Sequence, residues 1–363
     1  MGEPRRLNCT INDLAGGHKG RDQKSRSHSG MKNMHLLLIS VLILFHASIS
    51  VTRAGEAPVP ATSAKVAYTS LAGSLLPLWL ATDRGYFKER GIHVEPIYLR
   101  TITAVQALIT GDVTFIYSGC AQIMSARKVN PDIKIIGNSW PYNPYMLVAR
   151  PEITDPKQLE GKRIAINLLR DVSHVSARFA VQEAKVDPDK VTYVPTGSTP
   201  ERVLALRAGA VDAIMFGGNP NIIKGFNILV DLSNRKIPDC IDGIGVSESW
   251  MRSNAQTTEA FMRGIVKGAA FLTAGNPDQG VSVLARYTRT KVGDGKVEST
   301  YQYIKERVTA DLTVRPSGIR SVLTNLAQQD PSWLSWKEEQ FYDNSIMDKL
   351  RREGFLEAVF KQL

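Results

Sequence analysis

The chain has 363 residues, with 45 Lys and Arg against 35 Asp and Glu, and 43% of its residues are hydrophobic. This composition excludes an intrinsically disordered chain and, with only 3 Cys, a small disulfide scaffold. A chain of this length can bury a large core and commonly divides into about two domains. No run of 18 apolar residues occurs, so the sequence predicts no standard membrane-spanning helix.

The N-terminal region has the order of features that is typical of a secretory signal. A polar leader precedes Lys32, residues 36–45 read LLLISVLILF, and small residues then lead to Ala54. We expect a cleavable signal peptide within residues 1–54, with Met31 as the true start and a periplasmic mature protein. A buried N-terminal helix is the alternative, but the Pro-rich stretch that follows leaves it little to pack against.

Loss of this region would change the charge of the protein. Residues 1–54 carry eight basic and three acidic side chains, so their removal lowers the net charge from +10 to +5. A mildly basic protein suits an anionic small ligand slightly better than a cationic one. No run of Lys and Arg interleaved with aromatic residues occurs, so we expect no nucleic-acid partner.

Two cysteines, Cys120 and Cys240, follow the predicted signal. They could pair in an oxidising compartment, but two cysteines do not make a disulfide framework. We therefore expect two unpaired thiols.

Predicted strands and helices alternate along the rest of the chain. The first series has strands at 65–68, 93–98, 113–117, 133–136 and 145–149, with helices at 75–89, 103–110 and 121–127. The second series has strands at 163–166, 191–194 and 213–216, with helices at 173–183 and 200–208. The pattern after Gly243 is mostly helical. This alternation predicts two α/β lobes with parallel sheets that helices cover on both faces.

Motifs for catalysis and for metal binding are missing. The chain after residue 54 has only two histidines, His93 and His174, and the sequence contains no HExxH, CxxC, GxSxG or GK[ST] motif. We therefore expect no catalytic residue, no metal and no cofactor. The sequence favours a protein that binds a ligand over an enzyme.

Polar loops follow the predicted strands. In open α/β sheets, ligands bind at the carboxyl ends of the strands, where free helix N–H groups point outward. The residues that we expect to bind the ligand there are Ser70, Leu71, Arg100, Thr101, Ser118, Gly119, Arg170, Asp171, Ser173 and Asn219. The Ser and Thr side chains could instead cap helices, and each Arg could be a solvated surface residue. Five such loops at the same strand ends favour a shared cleft.

The charged members of this set suggest the chemistry of the ligand. Arg100 and Arg170 each lie between a strand and a helix, where a guanidinium could hold a carboxylate, sulfonate or phosphate. Asp171 could neutralise Arg170 or bind an amine on the ligand.

Several stretches carry a family resemblance. They read VAYTSLAGSLLPLWLATDRGYFKERGIHVE, AVQALITGDVTF, LEGKRIAI, RVLALRAGAVDAIMF and GIGVSESWMRSN, and their order covers most of residues 64–275. With these motifs the chain resembles the ABC-transporter substrate-binding proteins of the nitrate, sulfonate, taurine and thiamine-pyrimidine-precursor group.

The resemblance implies the α/β type II periplasmic-binding-protein fold, with two αβ lobes, a ligand cleft and two crossover strands. It places the first lobe at 64–147 plus 244–363, the second at 148–243, and the crossovers near 146–150 and 241–245. It also implies capture of a small anionic organic molecule that is similar to a sulfonate, nitrate or pyrimidine precursor. An ABC permease would then receive this molecule without chemical turnover, and we expect the binding protein to be a monomer.

The chain departs from the family pattern at two loops. Many members carry a Gly-rich stretch at the place of residues 100–103 and an aromatic-acidic-Pro turn at the place of residues 217–220. Both loops belong to the expected pocket, so the identity of the ligand stays open. An enzyme on the same fold in thiamine- or menaquinone-type biosynthesis is one alternative. A ligand sensor without a permease is another. The ligand domain of a transcription regulator would need a preceding helix-turn-helix domain, which residues 1–54 do not supply.

Overall fold

The computed structural model describes residues 62–71, 73–169, 171–293, 295–328 and 330–362. The predicted leader and signal peptide at 1–54 and the predicted ligand residue Arg170 lie outside the described residues. Within those ranges, no helix has the length and apolar character that a bilayer crossing requires.

Five strands form the first sheet, in the order β2-β1-β3-β10-β4. They are β1 (Thr62–Tyr68), β2 (Ile92–Tyr98), β3 (Phe115–Gly119), β4 (Ile133–Asn138) and β10 (Asp242–Ser247). β1 is parallel to β2 and β3, whereas β10 runs antiparallel between β3 and β4. Phe115 and Ile116 are buried in different clusters, so side chains on both faces of the sheet lie in the core.

Helices cover both faces of this sheet and, with it, form the first lobe. They are α1 (Leu76–Asp83), α2 (Thr101–Thr110), α3 (Cys120–Val129), α6 (Glu248–Ser253), α7 (Ala255–Ala274), α8 (Pro277–Thr288), α9 (Lys296–Lys305), α10 (Pro316–Ala327), α11 (Ser345–Arg352) and α12 (Phe355–Phe360). α1 and α7 approach closely at Gly268, where a Cβ atom would lie only 2.1 Å from the carbonyl oxygen of Pro77. A side chain at this position would therefore force the two helices apart.

The second lobe has a second five-stranded sheet, in the order β7-β6-β8-β5-β9. Its strands are β5 (Tyr145–Ala149), β6 (Arg163–Ile166), β7 (Thr192–Pro195), β8 (Ala213–Gly217) and β9 (Asn227–Asp231). β6 is parallel to β7 and β8, and β5 is antiparallel to β8 and β9. α4 (Val172–Glu183) and α5 (Thr199–Arg207) bury their apolar residues in separate clusters with the two faces of this sheet.

The chain passes between the lobes twice, through residues 139–144 and 232–241, which we call the crossing segments. They lie side by side and antiparallel, with a bridge between Tyr142 and Pro238. The amide of Asn143 donates to the carbonyl of Ile237 over 3.0 Å, and further backbone bonds join the segments on either side of the bridge. Because the two segments are bonded to each other, they form a single paired connection between the lobes.

The crossing segments differ in position from the predicted crossovers at 146–150 and 241–245. Most of the first range is β5, a buried strand of the second sheet, and most of the second range is β10, a strand of the first sheet. Both ranges are apolar because they lie in sheets, whereas the crossing segments are richer in polar residues and Pro. The predicted lobe bounds, 64–147 plus 244–363 and 148–243, stay a prediction.

Cys120 and Cys240 form a disulfide, so the expectation of two unpaired thiols is wrong. β10 pairs antiparallel with β3, which sets Asp242 opposite Gly119. This register places the two cysteines next to each other, with their Cα atoms 5.5 Å apart, inside the range of about 4.4–6.8 Å that a disulfide spans. Their separation of 120 residues along the sequence gave no indication of this pairing.

Candidate functional site

The loops that follow β1 and β3 meet at the carboxyl ends of these strands. The hydroxyl oxygens of Thr69 and Ser118 lie 2.8 Å apart, within hydrogen-bond distance. Ser118 is buried, Ser70 follows Thr69 and is half-buried, and Gly119 directly precedes α3. The structure therefore brings the predicted residues Ser70, Ser118 and Gly119 to one end of the first sheet.

Arg100 and Thr101 lie where α2 begins. Arg100 is exposed, its side chain does not cap the helix, and it has no ion-pair partner in the part of the chain that the structure describes. Thr101 is the first helical residue and is half-buried. An unpaired guanidinium next to free helix N–H groups can attract an anion.

A buried polar cluster that the sequence analysis did not predict lies at the start of β10. The hydroxyl of Ser74 donates to the carboxylate of Asp242, and burial raises the pKa of that carboxyl group despite this bond. The hydroxyl of Tyr117 donates to the hydroxyl of Ser139 over 2.5 Å. Burial strongly raises the pKa of Tyr117, and the nearby charge of Asp242 raises it by a smaller amount. These groups connect the first sheet to the first crossing segment.

Asp171 and Ser173 are hydrogen-bonded at the N-terminus of α4. The carboxylate of Asp171 accepts hydrogen bonds from the amide of His174 at 3.0 Å and from the hydroxyl of Ser173 at 2.7 Å. It also accepts a bond from the side chain of Asn167 at 2.7 Å. Helix capping, the alternative for these loops, is thus what the structure shows for Asp171, and a ligand contact by either residue stays a prediction.

Asn219 follows β8 and is buried. Its side-chain oxygen accepts a hydrogen bond from the amide of Asn221 at 3.0 Å, which leaves the side-chain nitrogen without a partner. Two residues earlier, Gly217 lies against Tyr145, and a Cβ atom at Gly217 would be 3.0 Å from the Tyr145 ring. The loop after β8 thus begins against the ring of Tyr145, at the start of β5.

Arg202 is the main residue that the sequence analysis missed. Its side chain is on α5 and only 2% of the residue is exposed. The guanidinium donates to the carbonyl of Gly197 at 2.7 Å and to the hydroxyl of Thr199 at 2.8 Å, whereas its Nε has no partner. No ion pair of Arg202 occurs among the described residues, and burial lowers its pKa. A buried cation without a carboxylate partner is costly unless a ligand anion compensates it.

Tyr145 lies where the polar groups of the two lobes approach each other. It begins β5, and its hydroxyl is hydrogen-bonded to Arg202. Burial is the main cause that raises its pKa, and the nearby charges of Asp171, Asp239 and Asp242 raise it further. These three carboxylates come from the second lobe, a crossing segment and the first lobe.

Leu71, another predicted ligand residue, lines a different cavity. This cavity has a volume of about 460 Å³, and its other lining residues are Tyr68, Tyr98, Arg286, Tyr287 and Arg289. All six residues belong to the first lobe. Leu71 is therefore not joined to the polar groups around Tyr145 by any of the contacts above.

The polar groups around Tyr145 can donate and accept hydrogen bonds, and they include one buried cation. In the described ranges, no group of three His, Cys, Asp or Glu side chains could hold a metal ion. The arrangement is suited to holding a polar solute by hydrogen bonds and charge.

A family model described as NMT1/THI5 like matches residues 73–280, more than half of the chain. The chain belongs to the NMT1/THI5-like family. The matched region includes nearly all predicted ligand residues and both crossing segments. The resemblance to the nitrate, sulfonate, taurine and thiamine-pyrimidine-precursor group is thereby confirmed. No curated protein matches the chain.

Solved structures show the same fold as this NMT1/THI5-like chain. The periplasmic aliphatic sulphonate binding protein SsuA from Escherichia coli is 14% identical with a TM-score of 0.64, covering 78% of this chain and 99% of SsuA. The periplasmic nitrate-binding protein NrtA from Synechocystis PCC 6803 is 12% identical, with a TM-score of 0.60. The match covers 84% of this chain and 89% of NrtA. The desulfurization enzyme DSZB is 14% identical, with a TM-score of 0.58. The match covers 80% of this chain and 99% of DSZB. The predicted type II periplasmic-binding-protein fold is confirmed.

Proposed function

We propose that this chain is an extracytoplasmic solute-binding protein. It captures a small anionic organic molecule between its lobes and delivers it unchanged to an ABC permease. The observation that carries the proposal is the buried guanidinium of Arg202, for which no ion pair occurs among the described residues. A solute held between the lobes contacts both of them, so it stabilises their closed arrangement relative to the open one.

The charge of the ligand follows from the donors that lack acceptors. The Nε of Arg202 and the side-chain nitrogen of Asn219 are buried and have no hydrogen-bond partner among the described residues, and Arg100, at a helix start, has no ion pair within them. A carboxylate, sulfonate or nitrate supplies several acceptor oxygens and a compensating negative charge. SsuA is a sulphonate-binding protein and NrtA a nitrate-binding protein, and this similarity supports the same class of ligand.

An exported location is part of the proposal. The disulfide between Cys120 and Cys240 is the kind of bond that persists in an oxidising compartment, and the predicted signal peptide lies before it in the sequence. Cell fractionation with sequencing of the mature N-terminus tests this point. We expect a periplasmic protein that begins after Ala54.

Ligand screening tests the binding role. Sulfonates, nitrate, aromatic acids and pyrimidines are compared by the rise in melting temperature of the protein, which increases with ligand concentration for a true ligand. The hit is then measured by calorimetry with Arg100→Ala and Arg170→Ala, and we expect each variant to bind about tenfold or more weakly. Arg252→Ala, at an exposed arginine of α6, is the matched control. If both test variants bind like the wild type, the assignment of an anionic ligand is wrong.

An enzyme on the same fold is the second candidate, because DSZB, named a desulfurization enzyme, shares the architecture. The two functions differ in what happens to the bound molecule. Mass spectrometry of the hit after prolonged incubation with catalytic amounts of protein separates them. We expect the molecule to be recovered unchanged, and accumulation of a product over several turnovers would establish the enzyme instead.

A further inference from the structure

The cavity lined by Leu71 has features of a binding site of its own. It lies at the carboxyl ends of β1 and β2, beside the end of α8, and its volume of about 460 Å³ falls in the range of about 300–1,000 Å³ that small-molecule sites have. Because all of its lining residues belong to the first lobe, binding there does not require the lobes to close.

The walls of this cavity are aromatic. The ring centroids of Tyr68 and Tyr98 are 5.6 Å apart, and Tyr287 stacks on Trp79 with centroids 4.8 Å apart and nearly parallel planes. Trp79 is buried and also meets Tyr68 edge-on, so the tyrosines are held by packing. Tyr98 is 48% exposed, which leaves part of its ring open for contact with a ligand ring.

Several polar groups of the cavity make no hydrogen bond or ion pair within the described residues. Within the described residues, none of the hydroxyls of Tyr68, Tyr98 and Tyr287 makes a hydrogen bond. Arg286 is paired with Asp83 at 2.7 Å, whereas no ion pair of Arg289 occurs in the described ranges. The charge of Arg289 favours the ionised form of Tyr68, although burial and Tyr98 raise the pKa of that residue overall. Arg289 therefore supplies a positive charge close to Tyr68 that is not paired with a carboxylate of the described residues.

We propose that this cavity binds a planar aromatic anion, with the ring among the tyrosines and the carboxylate or sulfonate at Arg289. The exposed face of Tyr98 and the aromatic pair of Tyr287 and Trp79 select a flat ring. The unpaired guanidinium and the free hydroxyls select an anionic substituent. None of the contacts described above joins the residues of this cavity to Tyr145, and the variants below distinguish binding here from binding between the lobes.

Three matched probes test the proposed selectivity on the full-length protein by calorimetry. Benzoate has both the ring and the charge, cyclohexanecarboxylate has the charge without the flat ring, and benzamide has the ring without the charge. We expect benzoate to bind at least about tenfold more tightly than either of the others, as for one lost charge-assisted bond or one lost aromatic contact. Equal binding of the three probes, or no binding of benzoate, would overturn the proposal.

Variants locate the binding. Arg289→Gln should weaken benzoate binding about tenfold or more. Tyr98→Leu should weaken it more than Tyr98→Phe, which keeps the ring. Arg252→Gln serves as the surface control, and circular dichroism melting checks that each variant is folded. If benzoate binds elsewhere, such as between the lobes, Arg289→Gln and Tyr98→Leu leave its affinity unchanged and the assignment of this cavity is wrong.

Discussion

Arg202 and Asp239 are oppositely charged residues that are both nearly inaccessible to solvent. Neither has an ion-pair partner in the described ranges, and each relies on neutral groups. Arg202 donates to a carbonyl and a hydroxyl, and Asp239 accepts from the amide of Cys240 at 2.8 Å and from the side chain of Asn143 at 3.3 Å. Buried charges of this kind are sensitive to protonation and to ligands.

Asp239 gives a prediction about pH. Burial raises its pKa from an ordinary 3.8 to about 7, while its bonds to Cys240 and Asn143 act in the opposite direction. The folded state therefore keeps a proton up to about pH 7 that the unfolded chain releases near pH 3.8. The contribution of Asp239 to the free energy of unfolding therefore falls as the pH rises from 3.8 to about 7. The total decrease is on the order of a few kcal/mol.

Urea unfolding at pH 4.5, 6 and 8 measures this effect. The variant Asp239→Asn cannot ionise, so the stability of the variant relative to the wild type should increase from pH 4.5 to pH 8. Contributions from the other acidic residues cancel in this comparison. A difference that stays constant over the three pH values would show that Asp239 does not titrate in this way.

At the scale of elements, the insertion of β10 between β3 and β4 organises the first lobe. β10 comes from a distant part of the sequence and is hydrogen-bonded to both neighbours. Gly243 permits this packing next to the disulfide, since a Cβ atom there would lie 2.7 Å from the sulfur of Cys120. The disulfide joins Cys120, the first residue of α3, to Cys240, which lies two residues before β10 begins.

The disulfide closes a long loop, and its removal should therefore destabilise the protein. For a separation of 120 residues, loop entropy suggests a loss of about 5 kcal/mol in the free energy of unfolding for the double variant Cys120→Ser/Cys240→Ser. Denaturant unfolding with and without dithiothreitol measures it. Reductant should lower the stability of the wild type and leave the double variant unchanged; a wild type that is insensitive to reductant under unfolding conditions would contradict the prediction.

At the scale of the whole molecule, the paired crossing segments are the connection about which the lobes can move. The hydroxyl of Tyr303, on α9 of the first lobe, donates to the carbonyl of Pro144 in the first crossing segment at 3.3 Å. The ring of Trp140 lies 6.1 Å from that of Tyr303. Side chains of the first lobe thus pack on the connection, close to where it enters the second sheet.

Ligand binding between the lobes should make the protein more compact. Small-angle X-ray scattering of the protein with and without a saturating ligand measures the radius of gyration, and we expect a decrease on binding. Benzoate in the cavity of the first lobe should not produce this decrease, which makes it a useful control. An unchanged radius at saturation with the ligand of the cleft would argue against closure.

The sequence predicts eight of the ten described strands because most of them are short apolar runs that are buried over nearly their whole length, as in β3 and β8. After Gly243 it predicts helices without bounds, so α6 to α12 are not located individually. It misses β9, an edge strand in which Ile228 is exposed, and it treats β10 as a crossover because its antiparallel partners are distant in sequence. Arg202 is missed since a charged residue in mid-helix is normally solvated. Its spacing of three and four residues from Thr199 and Leu206 placed it on the buried helix face, and this was the available signal.

The order of strands in the two sheets also bears on folding. All five strands of the second sheet are contiguous in the sequence, so one uninterrupted segment that ends at Asp231 can complete that sheet during folding. β3 and β4 have no direct contact as neighbours, and their shared partner is translated later. The first sheet therefore stays incomplete, with the edges of β3 and β4 unpaired, until the chain that follows the second lobe joins it.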